Sequence, residues 1–426
     1  MTKLFRYLKK YRKESILAPF FKLIEVAFEL TVPLIVSNII DVGIENGDKG
    51  YIVKRCLLLG LLGILGLCST LVAQYFSAKA SVGFATDIRH ALFSHIGKLS
   101  YSQLDSLGAP TLITRLTGDI NQVQTGTNLT LRLVLRSPFV VFGAVIMAFT
   151  VDAKSSLVFV VAVPALAAVV FAIMLVCIPM YRKVQQKLDG LLSKTRENLL
   201  GTRVVRAFCK EDEEIEDFDA KNKALTEMQT AVGRISAFMN PATFVLINLA
   251  IIALIYIGAL RVDSGAISRG AVVALYNYMS QILVELIKLA NLIISVTKAI
   301  ACGNRIQSVL DIEPATVPGT VTEGDKKCEY SVEFDGACLS YNGSEESLHN
   351  IDLKIPRGST VGVIGSTGSG KSSLVNLIPR FYDVTGGCVL VDGVDVRDYD
   401  TQALRSKIGV VSQKKALFSG SVRDNI

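Results

Sequence analysis

Val361-Gly362-Val363-Ile364-Gly365-Ser366-Thr367-Gly368-Ser369-Gly370-Lys371-Ser372-Ser373 is the stretch on which the reading of this chain turns. An apolar run leads into a glycine-rich loop, and an apolar helical pattern (Leu374, Val375, Leu377, Ile378) leads out of it. Gly365 to Ser372 matches G-x-x-x-x-G-K-[ST] at every fixed position. Glycines let the backbone curl so that successive N–H groups point inward at an anion. A helix starting near Lys371 adds the positive end of its dipole. In this pattern Lys371 reaches the β and γ phosphates and the Ser372 hydroxyl holds Mg²⁺. A flexible Gly/Ser turn is the plain alternative. By average residue usage, a chance match in a chain this long arises about 1–2% of the time, so the loop is read as a nucleotide phosphate site.

The totals point to a membrane. Of 426 residues, 50% are hydrophobic and only 19% charged, and the mean hydropathy is +0.43. Soluble domains carry about 25% charged residues. The net charge of +7 is spread along the chain, which argues against nucleic acid as a partner and fits the retention of Lys and Arg on the cytoplasmic side of membranes. The eight cysteines show no C-x-x-C spacing and read as reduced, mostly buried thiols. His90 and His95 do not share a helix face, so no metal pair is read there. Lys3, Arg6, Lys9, Lys10, Arg12 and Lys13 interleave with Leu4, Tyr7, Leu8 and Tyr11. That pattern is an interfacial amphipathic helix over residues 1–14, not a cleaved leader.

Six apolar segments are long enough to span a bilayer: about Ile16 to Ile40, Val53 to Phe76, Leu133 to Phe149, Leu157 to Ile178, Phe244 to Leu260 and Ala271 to Ile294. Three connections are very short. The other two, about Ser77 to Asn128 and Met180 to Ala242, are long, basic and helical in pattern. At 1.5 Å per residue each folds into two helices reaching roughly 35 Å beyond the bilayer. Positive charge places these connections and the N-terminus in the cytoplasm. Their turning points, Tyr101 to Gly108 and Phe208 to Glu214, are candidate contacts for a soluble partner. Within the spans, Glu25 and Glu29 share a face of the first, Arg132 and Arg136 a face of the third, and Glu285 and Lys288 lie together on the sixth. Charges in hydrocarbon face a wet cavity or pair with one another. Glu25, Glu29, Arg136 and Glu285 are the candidates for a substrate cavity, with structural ion pairing as the alternative.

Residues 15–310 thus form a six-helix transmembrane domain, 311–327 a Pro- and Gly-bearing linker, and 328–426 the start of an α/β domain. Its expected strands are Ser331 to Phe334, Ala337 to Tyr341, Ile351 to Ile355, Thr360 to Ile364, Cys388 to Val391 and Ile408 to Val411, with a helix from Lys371 to about Phe381.

Further motifs join the loop: Tyr341 ahead of it, Val391-Asp392-Gly393, Val410-Val411-Ser412-Gln413, Leu417 to Ile426, and Gly201-Thr202-Arg203-Val204-Val205-Arg206-Ala207-Phe208 in the helical half. On these residues the chain resembles a half-transporter of the ABC exporter family, an α-helical transmembrane domain followed by an incomplete α/β P-loop nucleotide-binding domain. The resemblance implies ATP and Mg²⁺ as cofactors. It makes Gly365, Ser366, Thr367, Gly368, Ser369, Gly370, Lys371, Ser372 and Ser373 the phosphate cradle and stacks Tyr341 on the adenine. It gives Mg²⁺ to Ser372 and Gln413, and catalytic roles to Lys371 and Gln413. It makes the two turning points coupling helices. It implies a dimer with a second half-transporter, with a leaning to a heterodimer, in the plasma membrane, moving hydrophobic or amphipathic drugs, lipids or peptides. The family's signature motif, the acidic pair after the next long strand and the switch histidine find no match here, since His349 precedes the loop. The expectation is a chain truncated after the Gln413 loop by about 150 residues, which binds ATP without turning it over. The alternative is a degenerate partner that only assembles.

Overall fold

The run of apolar residues in each half of the chain settles into a different kind of element. The computed structural model describes residues 2–315, 319–325, 327–341, 346–411 and 417–425. In chain order come α1 (Phe5–Ile44), α2 (Lys49–Ile96), the short α3 (Tyr101–Leu107), α4 (Ala109–Val151), α5 (Ala153–Ala207), α6 (Glu211–Asp263) and α7 (Arg269–Leu310). Six of these are long and apolar enough to cross a membrane, and each contains one of the expected spans. The chain divides into two compact units, residues 1–87 with 121–303, and residues 88–120 with 304–426. The connection between α2 and α4 therefore groups with the C-terminal part of the chain.

In the first unit, one apolar core joins Val26 and Leu30 of α1, Val140 and Ala144 of α4, Phe159 and Leu166 of α5, Ile247 and Leu254 of α6, and Leu275, Tyr278 and Ile282 of α7. Small residues let the helices approach closely, as membrane helices require. A Cβ on Gly143 would stand 2.5 Å from the Leu30 side chain, and one on Gly126 would stand 2.2 Å from that of Ala299. The buried Tyr278 hydroxyl donates to the Leu30 carbonyl at 2.7 Å. Asp41, at the end of α1, accepts from the Ser268 hydroxyl and from the Gly270 N–H at 2.7 Å, which gives the first turn of α7 a carboxylate cap.

In the second unit, β1 (Tyr330–Ser340) and β2 (Glu346–Pro356) pair antiparallel, followed by α8 (Lys371–Leu377), β3 (Gly386–Val391), β4 (Val394–Asp395) and α9 (Thr401–Ser406). The sheet order is β2-β1-β3-β4, antiparallel throughout. One face covers a core of Phe334, Ala337, Leu339, Leu377, Val389, Tyr399 and Leu404. Of the eight cysteines, expected to be mostly buried, only Cys177 and Cys302 are buried, and three further expectations are corrected here. The runs at 360–364 and 408–411 are not strands, and Ile364 and Val411 are 96% and 87% exposed. A strand between helices takes its hydrogen bonds from neighbours distant in sequence, and among the described residues none stands beside these runs. The helix after the loop ends at Leu377, because Pro379 has no N–H to donate to the Val375 carbonyl and Arg380 turns left-handed at φ 52°. The linker is irregular but docked: the Gly319 and Val321 N–H groups donate to the Tyr399 and Asp398 carbonyls at 2.9 and 3.0 Å.

Candidate functional site

Two glycines of the loop are conformationally required. Gly368 and Gly370 sit at φ 88° and 84°, a region closed to most side chains. A Cβ on Gly370 would also stand 2.9 Å from the Ser347 carbonyl. The loop thus turns tightly against β2 and opens into α8 at Lys371. The Lys371 ammonium lies back on the loop, donating to the Gly365 and Ser366 carbonyls at 2.9 and 2.6 Å and to the Ser369 hydroxyl at 3.3 Å. These are neutral acceptors. An incoming phosphate offers the same ammonium charged oxygens and stronger hydrogen bonds. Gly365, Ser366, Thr367, Gly368 and Ser369 are exposed, as is Ser372.

Tyr341 is brought to the loop. Its hydroxyl and that of Ser373 are 3.0 Å apart, and its ring meets the edge of Tyr382 with centroids 5.0 Å apart. Gln413 lies outside the described residues.

Sequence reasoning missed the groups that tie this site to α3. The helix opens with a capping box: Ser100 accepts from the Gln103 N–H, and the Gln103 side chain reaches back to the Ser100 N–H. Gln103 also donates to the Glu313 carbonyl at 2.7 Å. Tyr101 packs on Phe381 at 4.7 Å, and the Tyr382 hydroxyl donates to Asp105 at 2.7 Å. Burial raises the Tyr382 phenol well above its usual range, and Asp105 adds to the rise, so it stays a donor across the accessible pH range. Arg405 holds the Phe381 turn by donating to the Pro379 and Arg380 carbonyls at 3.1 and 3.0 Å. Its guanidinium lies 5.2 Å from the Phe381 ring centroid. The aromatic pair Phe381-Tyr382 just past α8 is the signal that a closer look at the sequence could have used. The second turning point differs from expectation. Residues 208–210 are a turn with Cys209 at φ 48°, and α6 resumes at Glu211 with four acidic residues in its first turn. Acidic side chains at a helix N-terminus favour starting a helix there, so the stretch to Glu214 belongs to α6 rather than to a separate short helix.

The charged residues within the spans converge in part. Arg136 donates to Glu29 at 2.8 Å and to Glu285, and Glu285 also accepts from the Ser137 hydroxyl at 3.1 Å and from Lys288 at 2.8 Å. Arg136 and Glu285 are 7% and 3% exposed, which joins α1, α4 and α7 through a paired, buried network. Glu25 pairs within α1 to Lys22 instead, a buried partner that the sequence reading did not single out.

Two family descriptions match this chain. The ABC transporter transmembrane region matches residues 15–286, and the ABC transporter family matches residues 348–425. An ABC transporter ATP-binding protein of Mycobacterium tuberculosis (strain CDC 1551 / Oshkosh) is 36% identical over 99% of this chain and 73% of its own length. A Bacillus subtilis protein whose name describes a multidrug export ATP-binding/permease protein is 29% identical over 100% of this chain and 75% of its own. An ATP-dependent lipid A-core flippase of Desulfotalea psychrophila is 26% identical over 100% and 74%. The chain belongs to the ABC transporter family, with the membrane and nucleotide-binding domains fused as in exporter half-transporters.

Proposed function

We propose that this chain is one subunit of an ATP-driven exporter that moves hydrophobic or amphipathic compounds out across the plasma membrane. The observation that carries the reading is the physical link from loop to helix: Tyr341 touches both Ser373 of the loop and Tyr382, and Tyr382 holds α3 through Asp105. Binding of ATP and Mg²⁺ at Gly365 to Ser373 would move Lys371 off the loop carbonyls and place adenine against Tyr341. A change in either reaches α3 through two side chains. Two copies, or this chain and an unequal second half-transporter, would close on ATP and alternate access between the two sides. Ser372, with Gln413, would hold the Mg²⁺, and catalysis would be phosphate positioning and charge neutralisation. The basic connections put the N-terminus and the nucleotide-binding domain in the cytoplasm. Domain limits at 1–14, 15–310, 311–327 and 328–426 accommodate both family matches.

The membrane charges are assigned a holding role. The paired geometry of Arg136 and Glu285 supports locking of α1, α4 and α7, and Glu29, more exposed than either, would be the member of this group to meet a transported compound.

A second reading is an ATP-binding partner that assembles without hydrolysis. Phosphate release by this purified chain, measured beside its Lys371→Ala variant, separates the two. ATP binding without release supports the second reading for these residues. Steady release that Lys371→Ala abolishes removes it.

A further inference from the structure

The hairpin of β1 and β2 is irregular where its strands end. Ala337 pairs with Ile351, Leu339 with Leu348 and Ser340 with Glu346. His349 and Asn350 therefore both stand opposite the single residue Cys338, and Ser347 is a second extra residue on β2. These are two β-bulges in one short strand, and bulges re-aim side chains. In a regular strand Glu346 and His349, three residues apart, point to opposite faces. Here the extra residue between them reverses that parity. One sulfur, one ring nitrogen and one carboxylate oxygen, from Cys338, His349 and Glu346, end within 4.8 Å of one another.

The surroundings are those of a ligand set. The Asn350 N–H donates to the Cys338 sulfur at 3.2 Å, a hydrogen bond of the kind that orients a metal-bound thiolate. Asn350 is held left-handed at φ 45° to do so. Across the sheet, the residue beside Cys338 is Gly386, so no side chain covers the sulfur from that strand. His349 and Glu346 already touch through the ring Nδ1, and both are exposed, so they are free to rotate inward. A tetrahedral zinc ion with bonds of about 2.0–2.3 Å needs its donors roughly 3.5 Å apart, a closure that two exposed side chains can make.

We propose that Cys338, Glu346 and His349 form a site for a thiophilic divalent cation of the zinc class, with one coordination position left to water. Sulfur and imidazole donors select zinc-like ions over Mg²⁺, so the site is chemically separate from the one at Ser372. Its position is consequential. Ser347 and Leu348, between two of the ligands, are the residues against which Gly370 of the phosphate loop packs.

The test uses the full chain in detergent, stripped with chelator and with thiols reduced. Titration with Co²⁺ is expected to give one equivalent of a sulfur-to-cobalt charge-transfer band that Zn²⁺ displaces. Cys338→Ser should abolish the band, and His349→Ala and Glu346→Gln, both at exposed side chains that the fold does not need, should each weaken Zn²⁺ binding at least ~10-fold. Cys388→Ser, on the neighbouring strand, should leave the band in place. A band that survives Cys338→Ser, Zn²⁺ affinity unmoved by His349→Ala, or absence of stoichiometric binding by the unaltered chain would each overturn the proposal.

Discussion

The charge network of the helical unit and the phosphate loop of the sheet-bearing unit treat charge in opposite ways. Arg136 and Glu285 are buried, and Glu285 alone gathers Arg136, Ser137 and Lys288. Lys371 is bonded only to neutral oxygens of its own exposed loop. A buried charge that already has its counter-charges is fitted to hold helices together, and removing one partner strands the other in a medium that cannot solvate it. An ammonium resting on carbonyls is fitted to be taken over by an anion. The difference separates what holds this molecule from what it responds with, and it says where a substitution acts on folding and where on binding.

The largest effect is expected at Lys371. Lys371→Ala should weaken binding of a fluorescent ATP analogue by at least ~100-fold, the scale of two charge-assisted hydrogen bonds, while leaving the melting temperature of the detergent-solubilised chain unchanged. Next comes the network. Arg136→Ala should destabilise the helical unit by about 3–5 kcal/mol, read as loss of folded protein in detergent, with ATP affinity retained in whatever folds. A stable Arg136→Ala protein with altered substrate range would reverse the assignment and make the cluster a cavity lining.

Much of this contrast was legible in the sequence, and the reasons are local. The phosphate loop is fixed by spacing within eight successive positions, and the helices by length and hydropathy alone. Glu29, Arg136 and Glu285 stood out because charge is rare in a span. Pairing could not be read, because Arg136 and Glu285 meet across 149 residues of sequence. The same holds for Tyr382 with Asp105 and for the bulges that bring His349 to Cys338. Hydrophobicity also misled. The runs at 360–364 and 408–411 read as buried strands, yet burial there depends on neighbours that no local pattern encodes.

Tyr341→Ala tests the responsive side at smaller scale. Loss of base stacking should lower ATP affinity by about 1–3 kcal/mol, some 5- to 150-fold, and should loosen the Tyr382 contact as well. Tyr341→Phe should keep most of the stacking and lose only the hydroxyl contact to Ser373. Equal affinities for all three proteins would remove Tyr341 from the nucleotide site.

The smallest effect is a pH dependence on the holding side. Asp152 caps α5 and accepts from Ser155 and, at 2.7 Å, from Arg261. Burial alone would raise its carboxyl, but the bonds from Arg261 and Ser155 outweigh it and hold the value down to about 2. A depressed folded value stabilises above the unfolded value of about 3.9, and that stability is lost as pH falls through about 2. The contribution is about 2.5 kcal/mol. Asp152→Asn should remove this step from a stability–pH curve between pH ~4 and ~2. A step of unchanged size in the variant would place its origin elsewhere.

The central claim is that the loop at Gly365 to Ser373 powers movement of a hydrophobic compound through the helical unit. It is met most directly in inside-out vesicles carrying the intact transporter, by following uptake of a fluorescent hydrophobic cation on addition of Mg²⁺ and ATP. ATP-dependent accumulation that Lys371→Ala abolishes is the predicted result. Accumulation that proceeds equally in Lys371→Ala vesicles, with both half-transporters carrying the substitution, would contradict it.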